Sequence, residues 1–285
     1  MVPPGNSQAE QKMTSPYFKG IWQRGFGTFP LKGDVLKEAL STALDIGYRA
    51  IDTAQMYQNE SDIGKVLAHA GLPREELLIT SKVPNSNFTQ DTFIPSVEQS
   101  LTELQIDQLD VLLVHWPPAD GDIAHSIDLL RETKQRGLAK HIGVSNFTAA
   151  MLRQVADIDE EEFVTNQVEF HPLLDQSVLL QASNETGIPL SSYCSVARGK
   201  VFSYSLFDEL AEQYDVTAAQ VVLRWILQKG VNVNAMSTKR ANLEANFDIM
   251  TFSLSNVDMN KIDQLGKHAM RIVDKSLVPW APDWD

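Results

Sequence analysis

A short aliphatic run, a polar loop and a stretch with helical spacing recur in that order along nearly the whole chain. The runs cover residues 24–29, 50–53, 77–83, 111–116, 141–145, 163–170, 188–193 and 231–235, the first being the weakest. Most are continuously apolar rather than alternating, which is the pattern of strands covered on both faces.

The intervening stretches carry apolar stripes at helical spacing. Asp34 is expected to cap the first, in which Val35, Leu36, Ala39, Leu40, Ala43 and Leu44 form one face and Gly47 ends the helix. Ile63, Val66, Leu67 and Ala70 lead in the same way to Gly71. Later stripes run through Val97/Leu101/Leu104, Ile127/Leu130, Met151/Leu152/Val155, Leu179/Leu180, Val221/Val222/Trp225/Ile226 and Leu243/Asn246/Phe247. The reading gives eight strands and eight helices in alternation.

Alternation of this kind demands a parallel sheet with right-handed crossovers, either open and doubly wound or closed. A doubly wound dinucleotide fold needs G-x-G-x-x-G after its first strand, yet Gly25-Phe26-Gly27 is followed by Thr28-Phe29-Pro30. Eight units in 285 residues therefore predict an α/β fold, a (β/α)8 TIM barrel forming a single domain. The barrel is assigned to residues 19–285, and residues 1–18, rich in Pro, Gln and Gly-Asn-Ser, to a flexible tail without the basic and apolar regions of a signal peptide.

Composition narrows the function. Lys+Arg 24 against Asp+Glu 37 gives a net charge of −13, and no basic cluster breaks it, which argues against nucleic acid as a partner. The single cysteine, Cys194, forbids an intrachain disulfide and suits a reducing cytoplasm. No apolar segment approaches the ~20 residues of a membrane span. A cytoplasmic monomer acting on a small molecule, with no membrane partner, is the expectation.

In a barrel of this type, reactive side chains lie at the C-terminal ends of the strands. Asp52, Lys82 and His115 lie near the ends of the second, third and fourth runs, and Tyr57 follows Asp52 in the next loop. Singly, each has an ordinary structural explanation: a turn cap, a solvated strand end, a packed ring. Together they form a proton donor. A tyrosine hydroxyl titrates near 10 and is a poor acid, an adjacent ammonium favours its phenolate, and Lys82 supplies that cation with Asp52 holding it charged. His115 would orient a substrate oxygen, and a donor tuned for a carbonyl oxygen requires a hydride source opposite it.

Other motifs are missing. There is no P-loop, H-E-x-x-H or G-x-S-x-G, and the six histidines lack metal-ligand spacing, so no metal is expected. His171-Pro172 reads as a turn element, Cys194 as a small buried residue, and the acidic stretch Asp157, Asp159, Glu160, Glu161 and Glu162 as a solvated helix-to-strand loop.

The segments GYRAIDTAQMY (47–57), LLITSKV (77–83), DVLLVHWP (110–117), IGVSNF (142–147) and TNQVEFHP (165–172) resemble those of the aldo-keto reductases from about Gly25 onward. Within the family the chain is most similar to bacterial 2,5-diketo-D-gluconate reductases of the B type, including the terminal APDWD. The resemblance implies NADPH/NADP+ across the C-terminal face of the barrel. It assigns Asp52, Tyr57, Lys82 and His115 as a catalytic tetrad with Tyr57 the general acid. Ser145, Asn146 and Gln167 correspond to positions that bind the nicotinamide carboxamide, and Tyr193 to the ring stacked on it. Gly27 and Thr28 correspond to the loop beneath, Ser195 to the pyrophosphate loop, and Ser237, Thr238, Lys239, Arg240 and Asn246 to the segment that holds the adenosine phosphate and adenine.

Three departures accompany the resemblance. Ala235-Met236-Ser237 stands where P-K-S is common, Asn242 where an arginine is usual, and Cys194-Ser195-Val196 where S-P-L is usual, with Arg198 and Lys200 nearby. Two basic contacts to a 2′-phosphate are therefore missing, so NADPH is expected to be preferred less strongly, with NADH a weaker alternative and Arg240 able to swing inward. The short interval between His115 and the next strand predicts an open substrate pocket lined by Phe29, Trp116, Trp280 and Trp284, fit for small α-dicarbonyls, ketoaldehydes or keto-sugars such as 2,5-diketo-D-gluconate. Neutral dicarbonyls are favoured by the net charge. Two rival readings are a regulatory nucleotide-binding barrel without physiological turnover and an isomerase or aldolase using Lys82 as a Schiff base.

Overall fold

The computed structural model describes residues 20–158 and 163–285. Strands β1 (Arg24–Gly27), β2 (Ala50–Asp52), β3 (Leu78–Val83), β4 (Leu109–Val114), β5 (Ala139–Ser145), β6 (Phe163–Glu169), β7 (Leu190–Tyr193) and β8 (Asn232–Ala235) form a closed parallel barrel in chain order. Each lies within two residues of its predicted run. Every residue of β3, β4 and β6 is buried, as continuously apolar runs require. Closure brings Gly25 opposite Asn234, where a Cβ on the glycine would stand 2.0 Å from Asn234 Oδ1.

The predicted helices surround it: α1 (Gly33–Ile46), α2 (Glu60–His69), α3 (Phe93–Leu104), α4 (Ile123–Gln135), α5 (Ala149–Ile158), α6 (Ser177–Thr186), α8 (Ala218–Gln228) and α9 (Arg240–Phe247). Two more occur that the sequence reading missed, α7 (Ser205–Tyr214) and α10 (Asn256–Asp263). α7 buries only Phe207 and Leu210, and α10 only Asp258 and Ile262, so both stripes are narrow. α1 buries Leu36, Ala39, Leu40, Ala43 and Leu44 and stops at Gly47, whose φ of 121° lets its N–H reach Ala43 O and Leu44 O. Its cap differs from expectation. Lys32 occupies the N-cap, while Asp34 lies in the first turn and pairs with Lys37 at 2.7 Å, where a carboxylate suits the helix dipole.

The N-terminal end of the barrel is fastened by Asp110 of β4. Its Oδ2 accepts from Ile79 N at 2.9 Å and from Arg74 at 2.6 Å, and its Oδ1 from Lys140 Nζ at 2.7 Å. At the other end, the chain after α10 returns across the mouth. Ile272 N and Val273 N donate to the buried Glu169 carboxylate at 2.5 and 2.8 Å, and the same carboxylate takes His171 Nε2 at 2.8 Å. His171 is thus a buried turn residue, as expected. Asp157 ends up within α5, while the remainder of the acidic stretch and the proposed N-terminal tail lie outside the described residues.

Candidate active site

Asp52 is the last residue of β2, Lys82 the penultimate residue of β3, and His115 the residue after β4. Tyr57 ends a single 3-10 turn (Gln55–Tyr57) just beyond β2. The parallel barrel therefore brings the four residues to one mouth, because adjacent parallel strands end on the same side.

The centre is a buried ion pair. Lys82 Nζ donates to Asp52 Oδ1 at 2.6 Å and to Thr53 O at 2.8 Å, and Gln167 Nε2 donates to Asp52 Oδ2 at 2.6 Å. Burial works against the ammonium, but Asp52 and Tyr57 hold the Lys82 amine above its ordinary range. That charge lies 5.2 Å from the centroid of the Tyr57 ring. Here one expectation is corrected. Burial pushes the Tyr57 phenol up more than Lys82 pulls it down, so the net shift is upward from 10. The His115 ring meets Tyr57 edge-on at 5.7 Å, and burial, then Lys82, lower its basicity well below 6.5. Its Nδ1 is buried without a partner. The site thus presents a protonated phenol, a permanent cation behind it and a neutral imidazole beside it.

Next to these groups, the ends of β4 to β7 are knitted together. Asn146, with a left-handed φ of 63°, donates to His115 O at 3.0 Å and to Ser145 Oγ at 3.1 Å, and accepts the Tyr193 hydroxyl at 2.7 Å. Ser145 Oγ donates to Gln167 O at 2.7 Å. Ser145, Asn146 and Gln167 are all buried beneath the mouth.

A cleft of about 880 Å³ leads away from this floor. Of the residues singled out from sequence, Gly27, Thr28, Phe29, Asp52, Tyr57, Tyr193, Ser195, Arg198, Ser237 and Asn246 line it, as does Asn242. Ser195 is fixed by donating to Asn234 O at 2.9 Å. Sequence reasoning missed an apolar stretch of wall made by Phe202, Ala218 and Leu223, which joins Val196 of the expected pyrophosphate loop in lining the cleft. Its signal was present, since Phe202 follows the end of β7, where barrel loops build sites, and Ala218 opens α8 about one turn and a half before Leu223. Cys194 also lines the cleft, with its thiol pushed up to about 11 chiefly by burial, which makes it a poor nucleophile.

Other expected contacts fall elsewhere. Thr238, Lys239 and Arg240 are exposed and do not line the cleft. Arg240 instead reaches Asp45 at 3.3 Å and Glu244 at 3.5 Å, so it is turned outward. Trp116 is 5% exposed, packed against Val273, Ala281 and Trp284 rather than facing an open pocket. Trp280 lines a separate groove.

A barrel whose mouth joins a phenol, a buried ammonium–carboxylate pair and a neutral imidazole to a long cleft has the architecture of an enzyme working on a carbonyl or alcohol oxygen. The chain belongs to the Aldo/keto reductase family, whose model matches residues 18–267, and is an oxidoreductase acting on carbonyl groups. It is 38% identical over 264 residues to methylglyoxal reductase DkgB of Escherichia coli O157:H7, covering 92% of this chain and 98% of that one. It is 38% identical over 244 residues to glyoxal reductase of Bacillus subtilis, covering 85% and 88%. Among solved structures, the Bombyx mori aldo-keto reductase in complex with NADP superposes with a TM-score of 0.84 at 28% identity, covering 93% of this chain and 95% of that one.

Proposed function

We propose that the protein reduces compact aldehydes and ketones, foremost α-dicarbonyls and ketoaldehydes, to alcohols with NADPH. The observation that carries this reading is the Asp52–Lys82–Tyr57–His115 cluster at the floor of the cleft. A dinucleotide fits the donor set beside it: the Tyr193 ring at the floor, the Ser195 hydroxyl in the middle, and Ser237, Asn242 and Asn246 at the far end. When bound, the reduced nicotinamide supplies the hydride.

The chain's own residues supply the rest. A carbonyl oxygen between Tyr57 and His115 accepts a hydrogen bond from each, which polarises the carbon toward attack. Tyr57 Oη then gives its proton to that oxygen, and the phenolate left behind is held by the Lys82 ammonium until solvent restores the proton. Asp52 keeps Lys82 charged throughout. The raised Tyr57 phenol suits this role, because the acid remains protonated over the neutral range. The same ion pair disfavours a Schiff base at Lys82, since a buried, protonated amine is not a nucleophile.

Relatives named for methylglyoxal and glyoxal support small dicarbonyls as substrates. The decisive experiment follows the near-ultraviolet absorbance of NADPH on adding methylglyoxal. Loss of absorbance that Tyr57→Phe abolishes is the expected result, and no oxidation by the parent protein would overturn the reading.

A further inference from the structure

The backbone of His115 is firmly tied, since its N–H donates to Val83 O at 2.9 Å and its carbonyl accepts from Asn146 Nδ2 at 3.0 Å. Its imidazole is not, because the buried Nδ1 has no partner among the described residues. In a histidine that works through one ring nitrogen, a hydrogen bond at the other commonly sets the orientation. Here packing takes over that task. Tyr57 meets the ring edge-on, and Trp116 lies nearly parallel to it, at 22° with the centroids 6.4 Å apart.

Trp116 is in turn held from the C-terminal side. It is buried against Val273 and Ala281 and meets Trp284 at 62°, with the centroids 6.2 Å apart. All three belong to the segment after α10, and with Trp116 they form a small cluster separate from the main core. A seat this small depends on polar anchors. Glu169, the last residue of β6, provides one: its fully buried carboxylate accepts from Ile272 N at 2.5 Å and from Val273 N at 2.8 Å. Asp285 provides another by accepting from Ala149 N at 2.8 Å. The Arg271 guanidinium, 3.9 Å from the centroid of the Trp284 ring, is sustained in its burial by the charges of Glu169 and Asp285. Without the Glu169 carboxylate, two N–H groups of the segment lose their acceptor, and they regain one from water only if the segment lifts.

We propose that Glu169 is a positioning residue for the reduction: by mooring Ile272 and Val273 it keeps Trp116 against the His115 imidazole, and so sets the direction in which His115 meets the carbonyl oxygen. This role rests on the reductase reading, where the direction of that hydrogen bond matters. It is separate from cofactor binding, because Glu169, Ile272 and Val273 do not line the cofactor cleft.

The test follows methylglyoxal reduction per folded protein, with NADPH binding measured by fluorescence. Glu169→Ala should lower kcat about 10- to 100-fold, as a displaced orienting group does, while the Kd for NADPH stays within about threefold. Glu169→Gln keeps one acceptor oxygen and should fall between that variant and the parent. Val273→Gly loosens the same seat from the side of the segment and leaves the barrel untouched, so it should lower kcat even where Glu169→Ala folds poorly. Because Glu169 acts through Trp116, combining Glu169→Ala with Trp116→Ala should lose no more than Trp116→Ala alone. The ring itself gives a reading independent of turnover. In the parent, burial and then Lys82 hold the imidazole well below 6.5, with Tyr57 the titratable ring against its edge. Once the segment lifts and water reaches the ring, the midpoint of its NMR titration should rise toward 6.5 in Glu169→Ala and Val273→Gly. Parent kcat in both single variants, an equal loss of NADPH affinity, or additive losses in the double variant overturns the role. A parent protein that leaves methylglyoxal unreduced removes the reductase reading instead, and the His115 midpoint then decides by itself whether Glu169 holds the ring.

Discussion

Lys82 Nζ lies 2.6 Å from Asp52 Oδ1, and the lysine side chain has no surface left to solvent. An ammonium in such a place persists because a carboxylate and a carbonyl take its protons, so the pair stands or falls together. Asp52→Ala leaves that charge uncompensated and should destabilise the fold by about 3–5 kcal/mol while driving Lys82 toward its neutral form. Urea unfolding checks the first effect and kcat the second. A variant within about 1 kcal/mol of the parent would show that the pair is not what holds Lys82 in place.

The titration of the site sets its pH profile. In the proposed reduction Tyr57 acts in its protonated form, and burial raises its phenol from 10, so reduction should hold steady through neutrality and decline only above the ordinary tyrosine range. His115, lowered well below 6.5, stays neutral from pH 6.5 upward and should add no step between pH 6 and 8. A kcat profile in the reductive direction tests both statements. Half-maximal activity near pH 7 to 8 would mean that Lys82 outweighs burial at the phenol after all. Tyr57→Phe should lose about 10²- to 10⁴-fold in kcat and retain cofactor binding, measured by fluorescence titration.

Much of this geometry was legible in the sequence for a definite reason. Strands buried on both faces write themselves as apolar runs, so β3, β4 and β6 could be located, and with them the strand ends bearing Lys82, His115 and Gln167. What escaped depends on side-chain direction and on balance between opposing forces. Arg240 is close in sequence to cleft residues, yet an acidic partner from α1, Asp45, turns it outward. Trp280 and Trp116 are both aromatic and near the mouth, but the C-terminal return across Glu169 buries one and leaves the other on a different groove. The sign of the Tyr57 shift turns on how much water reaches the phenol, a quantity that spacing along a chain does not carry.

Asp110 offers a contrast with Asp52, since both are buried carboxylates but lie at opposite ends of the same barrel. Asp110 sits at the N-terminal end and joins the start of β3 to Arg74 and Lys140. Conserving the chemistry at the mouth while loosening the base separates stability from activity. Asp110→Ala should cost about 1–3 kcal/mol in urea unfolding, because the buried Ile79 N loses its acceptor, while Arg74 keeps the Leu77 and Gln108 carbonyls and Lys140 is exposed. Its kcat at 25 °C should remain within about twofold of the parent protein. A large fall in kcat without loss of stability would contradict this division of the barrel.

Cofactor choice depends on what meets a 2′-phosphate at the far end of the cleft. Asn242 lines that end and Arg240 does not, being held outward by Asp45 and Glu244. A neutral amide can donate to a phosphate but cannot offset its charge, so the preference for NADPH over NADH should be modest. Asn242→Arg places a cation on the lining position, and a charge-assisted hydrogen bond of about 1.5 kcal/mol would raise the NADPH-to-NADH ratio of kcat/KM by about tenfold. Arg240→Ala should change the same ratio by less than about threefold, since an exposed pair at this distance contributes little and the side chain points away. If Arg240→Ala instead abolished the preference, the arginine must leave Asp45 and swing onto the phosphate when the cofactor binds. Adding Asp45→Ala would then strengthen NADPH binding in the parent background by releasing it, and leave NADH binding where it was.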